Sequence, residues 1–445
     1  MSRVRLSGWG RTAPSLARVL RPSSEDELLE AMSEPLIARG LGRSYGDAAQ
    51  LGGGLVIDNA GFDTIGPIGE DGLVELGAGV SLEDLLAVAI PQGWFIPVTP
   101  GTRQVSVGGM IGADVHGKNH HRDGSIARHV TQMRLISPQG PMSLSASQDP
   151  ELFFATMGAM GLTGVISAAS IQMVPIETDQ VLVDTERFED LDAVMSEMER
   201  SDEAYHYSVA WVDCMTSGAH MGRAILTRGE HAPASALEAP TRRGPRPARL
   251  RVAFDAPSGL LNPLSIRAFN ELWFRAAPRR AREEPQDLAS FFHPLDGVRD
   301  WNRLYGRRGF VQYQFCVPTA SAPTIRRAIE MLSASRVPSF LAVLKRFGPG
   351  TPQAPLSFPQ PGWTLALDLP VGPERLPGVL DALDRLVIEA GGRVYLAKDA
   401  HLSPASVAAM YPDLEQFARV KERVDPHGLL RSDLSQRLRL GSAHG

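Results

Sequence analysis

Cysteine is nearly absent: the 445-residue chain has two, Cys214 and Cys316. Neither their number nor their spacing supports a disulfide framework or a thiolate metal site, which fits a reducing compartment. No apolar run approaches the roughly eighteen residues that a membrane-spanning helix needs. The first residues, MSRVRLSGWGRTAPS, lack the apolar centre of a signal peptide. A location on the cytoplasmic side or at the membrane periphery, with no transmembrane segment, is therefore expected. A basic excess is missing too. The formal net charge is −5, which argues against nucleic-acid binding through a general positive field. Repeats and low-complexity tracts are also lacking. The 43% hydrophobic and 21% charged residues describe a globular chain with an adequate core and length for two or three domains.

Glycine, by contrast, is concentrated. Pro97–His121, PVTPGTRQVSVGGMIGADVHGKNHH, carries Gly101, Gly108, Gly109, Gly112 and Gly117 with little amphipathic periodicity. Such density costs backbone entropy, so main chain pressed against something flat or tightly turned is expected. A planar, phosphate-bearing cofactor explains this, and so does close packing between two layers of the fold. A second loop, ARGLGRSYGD (Ala38–Asp47), lies between strands expected at Leu36–Ala38 and Leu55–Asp58. Its glycines open no apolar helical stripe, so it is not a dinucleotide fingerprint. A nest of inward-pointing N–H groups, helped by the Ser44 hydroxyl, suits pyrophosphate. A glycine-rich hairpin is the plain alternative. MGAMGLTGV (Met157–Val165) is the third glycine-rich turn.

The patterning predicts helices over Ser24–Ser33, Leu82–Ile90 and Glu151–Met157, opened by Ser24, Ser81 and Asp149. Strands are expected at Val74–Val80, Thr131–Ser137 and Val165–Val174. Beyond about Glu177, strands at His206–Val212, Phe310–Val317, Phe340–Leu344 and Trp363–Leu369 alternate with helices at Thr324–Ser333 and Glu374–Ala390. That order predicts an antiparallel sheet with helices on one face, and so an α+β protein. Gly391–Asp399 reads as a strand and Pro412–Val424 as a helix. Pro233–Pro285 is weakly patterned, and from Pro240 to Glu283 it has ten arginines against three acids. Solvated loops explain that run, as does contact with an anionic membrane surface or a lipid phosphate.

The three glycine loops, in this order and spacing, resemble the FAD-binding domain of the vanillyl-alcohol-oxidase type flavoproteins. GWGRTAPS, HGKNHH, FFHPLD (Phe291–Asp296), QYQF (Gln312–Phe315), QAPLSFPQPGW (Gln353–Trp363), YLAKD and AMYP (Ala409–Pro412) carry the likeness over nearly the whole chain. They resemble one branch, whose members oxidise a ribose held on polyprenyl phosphate. The resemblance implies an FAD-binding domain made from residues 1–176 and 393–445, with 177–392 as a substrate cap. It implies oxidation of the ribose C2 hydroxyl to a ketone, with a separate short-chain reductase completing epimerisation to arabinose. Oxidation of a soluble alditol or aldonolactone is the alternative.

The resemblance also implies residue roles. The first loop would hold the pyrophosphate through Arg39, Gly40, Gly42, Arg43, Ser44 and Tyr45. The second would run along the flavin and ribityl chain with Pro100, Gly101, Thr102, Val105, Gly108, Gly109, His116, Gly117, Asn119 and His120. Gly164, Val165 and Tyr395 complete the cofactor set. Alcohol oxidation needs a hydride acceptor, a base for the hydroxyl proton and positive charge to offset the reduced flavin. The resemblance gives the last role to Lys398. His116 is the leading candidate for substrate contact or proton transfer, since imidazole titrates near working pH. Tyr45 joins them as a catalytic candidate, although a buried, hydrogen-bonded tyrosine is the ordinary reading of Tyr45 and Tyr395. Gln312 and Gln314 share one strand face. With Lys118, Lys345 and Lys398 they form the expected substrate set: Lys345 pairs with the substrate phosphate, Lys118 binds a phosphate or simply lines the loop, and Lys398 lies beside flavin and substrate. HGKNHH has no nearby acidic ligand, so no metal is expected. Trp211 and Trp363 read as packing, although either could wall the pocket. Many relatives hold FAD covalently through a histidine in the first glycine loop. Here that loop reads Gly42-Arg43-Ser44, so non-covalent FAD is expected.

Overall fold

Two four-stranded sheets occupy the first part of the computed structural model, which describes residues 2–248, 250–257 and 259–441. The basic run Thr241–Arg251 thus includes one residue, Arg249, outside the described set. In the first sheet Arg3–Leu6 pairs antiparallel with Ser15–Leu20, and Leu55–Asp58 lies parallel between Ser15–Leu20 and Leu36–Arg39. In the second, Leu73–Gly77, Val165–Gln172, Val130–Ser137 and Gly140–Ser145 are antiparallel neighbours in that order. Ser24, Ser81 and Asp149 cap their helices, each accepting the N–H three residues on. These satisfy donors that a helix start leaves free.

The third sheet has eight strands: Arg280–Asp287, Gln180–Phe188, Ala224–His231, Tyr207–Val212, Ala342–Phe347, Gly362–Pro370, Phe310–Pro318 and Arg393–Val394. Every adjacent pair is antiparallel. Along Phe310–Pro318 the odd residues Val311, Tyr313, Phe315 and Val317 join one core with the helices Leu191–Ser201, Pro323–Ser335 and Leu376–Glu389. The even residues Gln312 and Gln314 point to the opposite face, because strand side chains alternate. Register carries that face across the sheet. Gln312 lies opposite Asp368, Gln314 opposite Ala366, and Lys345 opposite Thr364. The glycine loops lie against this polar face.

The C-terminal segment packs back on the first loop. Leu36 N–H donates to the Leu429 carbonyl at 2.9 Å, and Tyr45 N–H to the Ala397 carbonyl at 2.9 Å. The Arg437 guanidinium bridges Asp47 at 2.7 Å and Asp399 at 2.8 Å.

Four expectations need correction. The strand expected at Gly391–Asp399 is only Arg393–Val394; the chain then turns through a 3₁₀ helix, Leu396–Lys398. The strand expected at Val74–Val80 ends at Gly77, where the Gly77 and Gly79 N–H groups donate to Thr64 and Phe62 instead of a ladder. The strand expected at Phe340–Leu344 runs over Ala342–Phe347. Pro233–Pro285 is not all loop. It holds the helix Pro263–Ala276, started by an Asn262/Ser265 capping box with Pro263 in the first turn, and most of the edge strand Arg280–Asp287. Two strands, Gln180–Phe188 and Ala224–His231, had no clear sequence signal. In the first, Asp184 and Glu186 pair with Arg282, which breaks the apolar alternation.

Candidate active site

A cavity of about 310 Å³ lies where the three glycine loops meet the polar face of the eight-stranded sheet. The first loop supplies Gly40, Gly42, Arg43, Ser44 and Tyr45 to its wall. Gly42 adopts φ +65°, the left-handed region that favours glycine. Among the described residues, the N–H groups of Leu41, Gly42, Arg43 and Ser44 have no hydrogen-bond acceptor. Free N–H groups in succession form an anion-binding concavity. Arg43 adds a guanidinium stacked 3.8 Å from the Trp9 ring centroid, with Nε buried and unpartnered. Burial lowers its pKa from the ordinary value, opposed mainly by the charge of Asp296. Arg39 does not line the cavity. It donates to the Ser7 and Ala49 carbonyls at 2.8 and 2.9 Å and so braces the loop from behind.

The second loop contains a six-residue helix, Val107–Gly112, capped by Ser106. Its two adjacent glycines do different things. A Cβ on Gly108 would stand 3.0 Å from the Ala78 Cβ and 3.2 Å from the Ala78 carbonyl oxygen, so this glycine permits close packing of layers. A Cβ on Gly109 would meet only the Ser106 hydroxyl, and both glycines line the cavity. At Gly101 a Cβ would have nothing within 4 Å. Pro100, Thr102, Val105 and His116 also line the wall, as does Gly164 from the third loop. Thr102 is tied outward: its hydroxyl and the Arg103 N–H both donate to Asp296, each at 2.7 Å.

His116 stands at the meeting of loop and sheet, ringed by Phe347, Phe358 and Tyr395 at centroid distances of 4.9, 5.4 and 5.1 Å. Tyr395 stacks on Phe358 and donates its hydroxyl to the Ala113 carbonyl at 2.6 Å. The Gln314 amide contacts His116 Nε2 at 2.9 Å, while His116 Nδ1 is buried with no partner. Burial, then the charges of Lys345 and Lys398, push the imidazole pKa well below its ordinary 6.5. His116 is therefore neutral at physiological pH.

Lys345 and Lys398 line the cavity, and protein encloses them on the other sides. Burial lowers Lys345 to about 7, helped by Lys398 and Lys118. Burial lowers Lys398 to about 8, with Asp368 pulling it back up. The Lys398 Nζ lies 5.5 Å from the Tyr45 ring centroid. Asp368 is the only carboxylate on the cavity wall among the described residues. It accepts hydrogen bonds from the Gln312 amide and, at 3.3 Å, from the Tyr305 hydroxyl. Burial raises it to about 6, against the favourable influence of Gln312 and Lys398.

Some expected site residues lie elsewhere. Gly117, Lys118, Asn119, His120 and Val165 do not line the cavity. The Lys118 ammonium donates to the Phe291 carbonyl and lies 4.2 Å over the Phe291 ring. Asn119 donates to the Pro97 carbonyl and to Asp123, fixing the loop turn. A Cβ at Gly117 would collide with the Asn119 side chain and the Thr99 carbonyl. His120 packs on Phe347 at 4.4 Å, and burial lowers its pKa to about 3. Val165 is a buried strand residue.

Sequence reasoning missed Asp368 and the walls formed by Trp9 and Trp301. Two signals were available. Alternation along GWTLALDLP puts Asp368 on the face of Thr364 and Ala366. The chain also has only four lysines, Lys118, Lys345, Lys398 and Lys421, so lysine marks few places. The cavity wall fits a dinucleotide-like flavin. It offers a nest for phosphate, glycines where a ring must approach, and buried orphan polar atoms at Arg43, His116, Gln312 and Gln314.

Comparison with known proteins agrees. The family described as FAD binding domain matches residues 16–143, and the family described as D-arabinono-1,4-lactone oxidase matches residues 379–438. The chain is 43% identical to a decaprenylphosphoryl-beta-D-ribose oxidase of Mycolicibacterium smegmatis, over 98% of this chain and 97% of that one. It is 39% identical to an uncharacterized protein of Streptomyces coelicolor, over 81% of this chain and all (100%) of that one. An L-gulonolactone oxidase of Arabidopsis thaliana is 33% identical over 22% of this chain and 18% of its own.

Proposed function

Since the chain belongs to the decaprenylphosphoryl-β-D-ribose oxidase family of FAD-binding oxidoreductases, we propose that it oxidises the ribose C2 hydroxyl of decaprenylphosphoryl-β-D-ribose, or of a similar polyprenyl-phosphate sugar, to the 2-keto product. One observation carries this reading beyond the family. Gln312, Gln314, Lys345, Asp368 and Lys398 converge from one sheet face and one turn on the cavity that the glycine loops wall.

FAD, when bound, supplies the hydride acceptor. The chain's own groups do the rest. The free N–H groups of Leu41–Ser44 and the Arg43 guanidinium hold pyrophosphate. Lys398, charged below about pH 8, offsets negative charge that develops on hydride transfer. Asp368, ionised above about pH 6, takes the hydroxyl proton; a base with a pKa near working pH suits that task. His116, neutral and protonated on Nδ1, donates a hydrogen bond to a substrate oxygen rather than acting as base. Lys345 meets the sugar phosphate.

The proposal keeps FAD non-covalent, because the first loop has no histidine and neither cysteine lines the cavity. It keeps residues 1–176 and 393–445 as the cofactor domain and 177–392 as the cap, with Arg393–Val394 joining the cap sheet at the seam. A short-chain reductase acts next on the keto product. The lipid substrate brings the enzyme to a membrane surface; among the described residues, no helix is long and apolar enough to cross one.

The lactone-oxidase match at residues 379–438 favours a second reading, oxidation of a soluble alditol or aldonolactone. Anaerobic titration of the holoenzyme separates the two. A short-chain polyprenyl-phosphoryl ribose is expected to bleach the flavin, and ribitol or an aldonolactone to leave it yellow. The reverse pattern would establish the soluble-sugar oxidase.

A further inference from the structure

The helix Pro263–Ala276 lies on the surface and buries only one stripe, Ile266, Asn270 and Phe274. The other faces carry large apolar side chains that nothing covers. Leu264 is 78% exposed, Leu272 70% and Trp273 52%. Single exposed leucines are ordinary, but a contiguous set on one helix marks an interaction surface.

Charge identifies the occupant. Residues 263–280 hold four arginines against one glutamate. That glutamate, Glu271, is engaged by Arg223 at 2.6 Å and Arg275 at 2.5 Å. Arg267 and Arg279 remain exposed beside the apolar face, and the Arg280 side chain, 65% exposed, reaches Glu186 at 3.9 Å. Leucine and tryptophan flanked by arginine is the pattern of a helix lying in the headgroup plane of a bilayer. There the apolar side chains enter the acyl boundary and the guanidinium groups stay with the phosphates. A second copy of this chain fits poorly, since two arginine-rich faces would repel. At 14 residues the helix is too short to span.

We propose that this helix seats the protein on an anionic phospholipid surface. Its position gives the contact a purpose. Asn262 and Pro263, at the helix start, line a groove of about 850 Å³ that Tyr305 also lines. The Tyr305 hydroxyl reaches Asp368 on the inner cavity. A lipid-borne sugar entering from the bilayer would thus meet the groove before the cavity. This last step rests on the proposed substrate; the docking face does not.

Co-sedimentation of the FAD-loaded full chain with large vesicles tests the face without any substrate. Vesicles with about one quarter phosphatidylglycerol in phosphatidylcholine are expected to pellet the protein, and added salt to weaken this. The triple variant Leu264→Ser/Leu272→Ser/Trp273→Ser, and separately Arg267→Glu/Arg279→Glu, are expected to lower the partition coefficient about tenfold or more. FAD content confirms that each variant is folded. Equal pelleting of the variants overturns the proposal, and so does binding indifferent to the anionic fraction. Concentration-dependent self-association that the triple variant abolishes would assign the face to a second copy and overturn it too. Failure of the sugar titration alone leaves the docking face standing.

Discussion

The Gln314 amide nitrogen stands 2.9 Å from Nε2 of His116 and thereby sets which ring nitrogen carries the proton. The same nitrogen lies 3.0 Å from the Thr364 hydroxyl, which donates to the Phe315 carbonyl at 2.8 Å and so must accept from Gln314. Two donors on one amide nitrogen satisfy Thr364 and His116 together. Nε2 therefore accepts, and Nδ1 holds the proton.

Thr364→Val removes the acceptor that orients this amide. The Gln314 oxygen is then free to face Nε2 and draw the ring proton there. We expect kcat to fall about tenfold, the worth of one misdirected hydrogen bond, with KM and FAD content unchanged. Thr364→Ser should restore the rate. A KM effect in place of a kcat effect would mean that Thr364 only shapes the pocket.

The Asp368–Lys398 pair predicts a bell-shaped pH profile. Asp368 is a carboxylate above about pH 6 and Lys398 an ammonium below about pH 8, so both are charged between those values. Turnover should fall on either side. Asp368→Asn should lose the acidic limb and about 10²-fold or more in kcat. It should also move the basic limb to lower pH, because the carboxylate that raises the Lys398 pKa is gone. Lys398→Met should bind FAD yet lose about 10²-fold or more in kcat. Full turnover by that variant would exclude the assigned role.

Neighbouring glycines should fail differently. Gly108→Ala pushes a methyl into Ala78 and should cost about 1–3 kcal/mol of stability, read as a lower Tm of the apoprotein. Gly109→Val should keep the fold and lose FAD, read from the flavin-to-protein absorbance ratio. Normal FAD content in Gly109→Val would show that this helix face does not meet the cofactor.

Denaturation should release all flavin. Heating or acid treatment followed by filtration should leave a colourless chain and a yellow filtrate. Colour retained on the protein would mean a covalent bond.

Lys118 should matter to stability, not to substrate. Burial holds its folded pKa near 7, below the ordinary 10.5. An unfolded chain therefore binds a proton that the folded chain lacks between those values, and wild-type stability from this group falls as pH drops through that window. Lys118→Met should raise Tm more at pH 6 than at pH 9, with KM for the sugar unchanged.

Much of this was legible in the sequence where local chemistry decides structure. Ser24, Ser81 and Asp149 announce their helices, because a cap is a contact within four residues. The three glycine loops do gather on one cavity. Lys398 was found through its motif but misplaced on a strand, since only two residues there pair with the sheet edge. What stayed hidden depends on distant partners. His116 acquires its tautomer from Gln314, 198 residues away. HGKNHH looks like one functional cluster, yet His116 faces the cavity while Lys118 and Asn119 hold the loop. Sequence adjacency does not reveal which way a turn sends each side chain. The arginine-rich stretch concealed a helix because charge density dominated the reading, although Asn262-Pro263 and Ser265 spelled its start.

The Arg437 guanidinium grips Asp47 across a separation of 390 residues, and in the same fork holds Asp399, the neighbour of Lys398. During synthesis the first loop leaves the ribosome long before its clasp exists. The flavin-facing wall can therefore be completed only after the C-terminal helix has emerged. A chain that stops short of Arg437 would still carry Lys398, but it would lack the clasp that holds Asp399, the neighbour of that lysine, against the first loop.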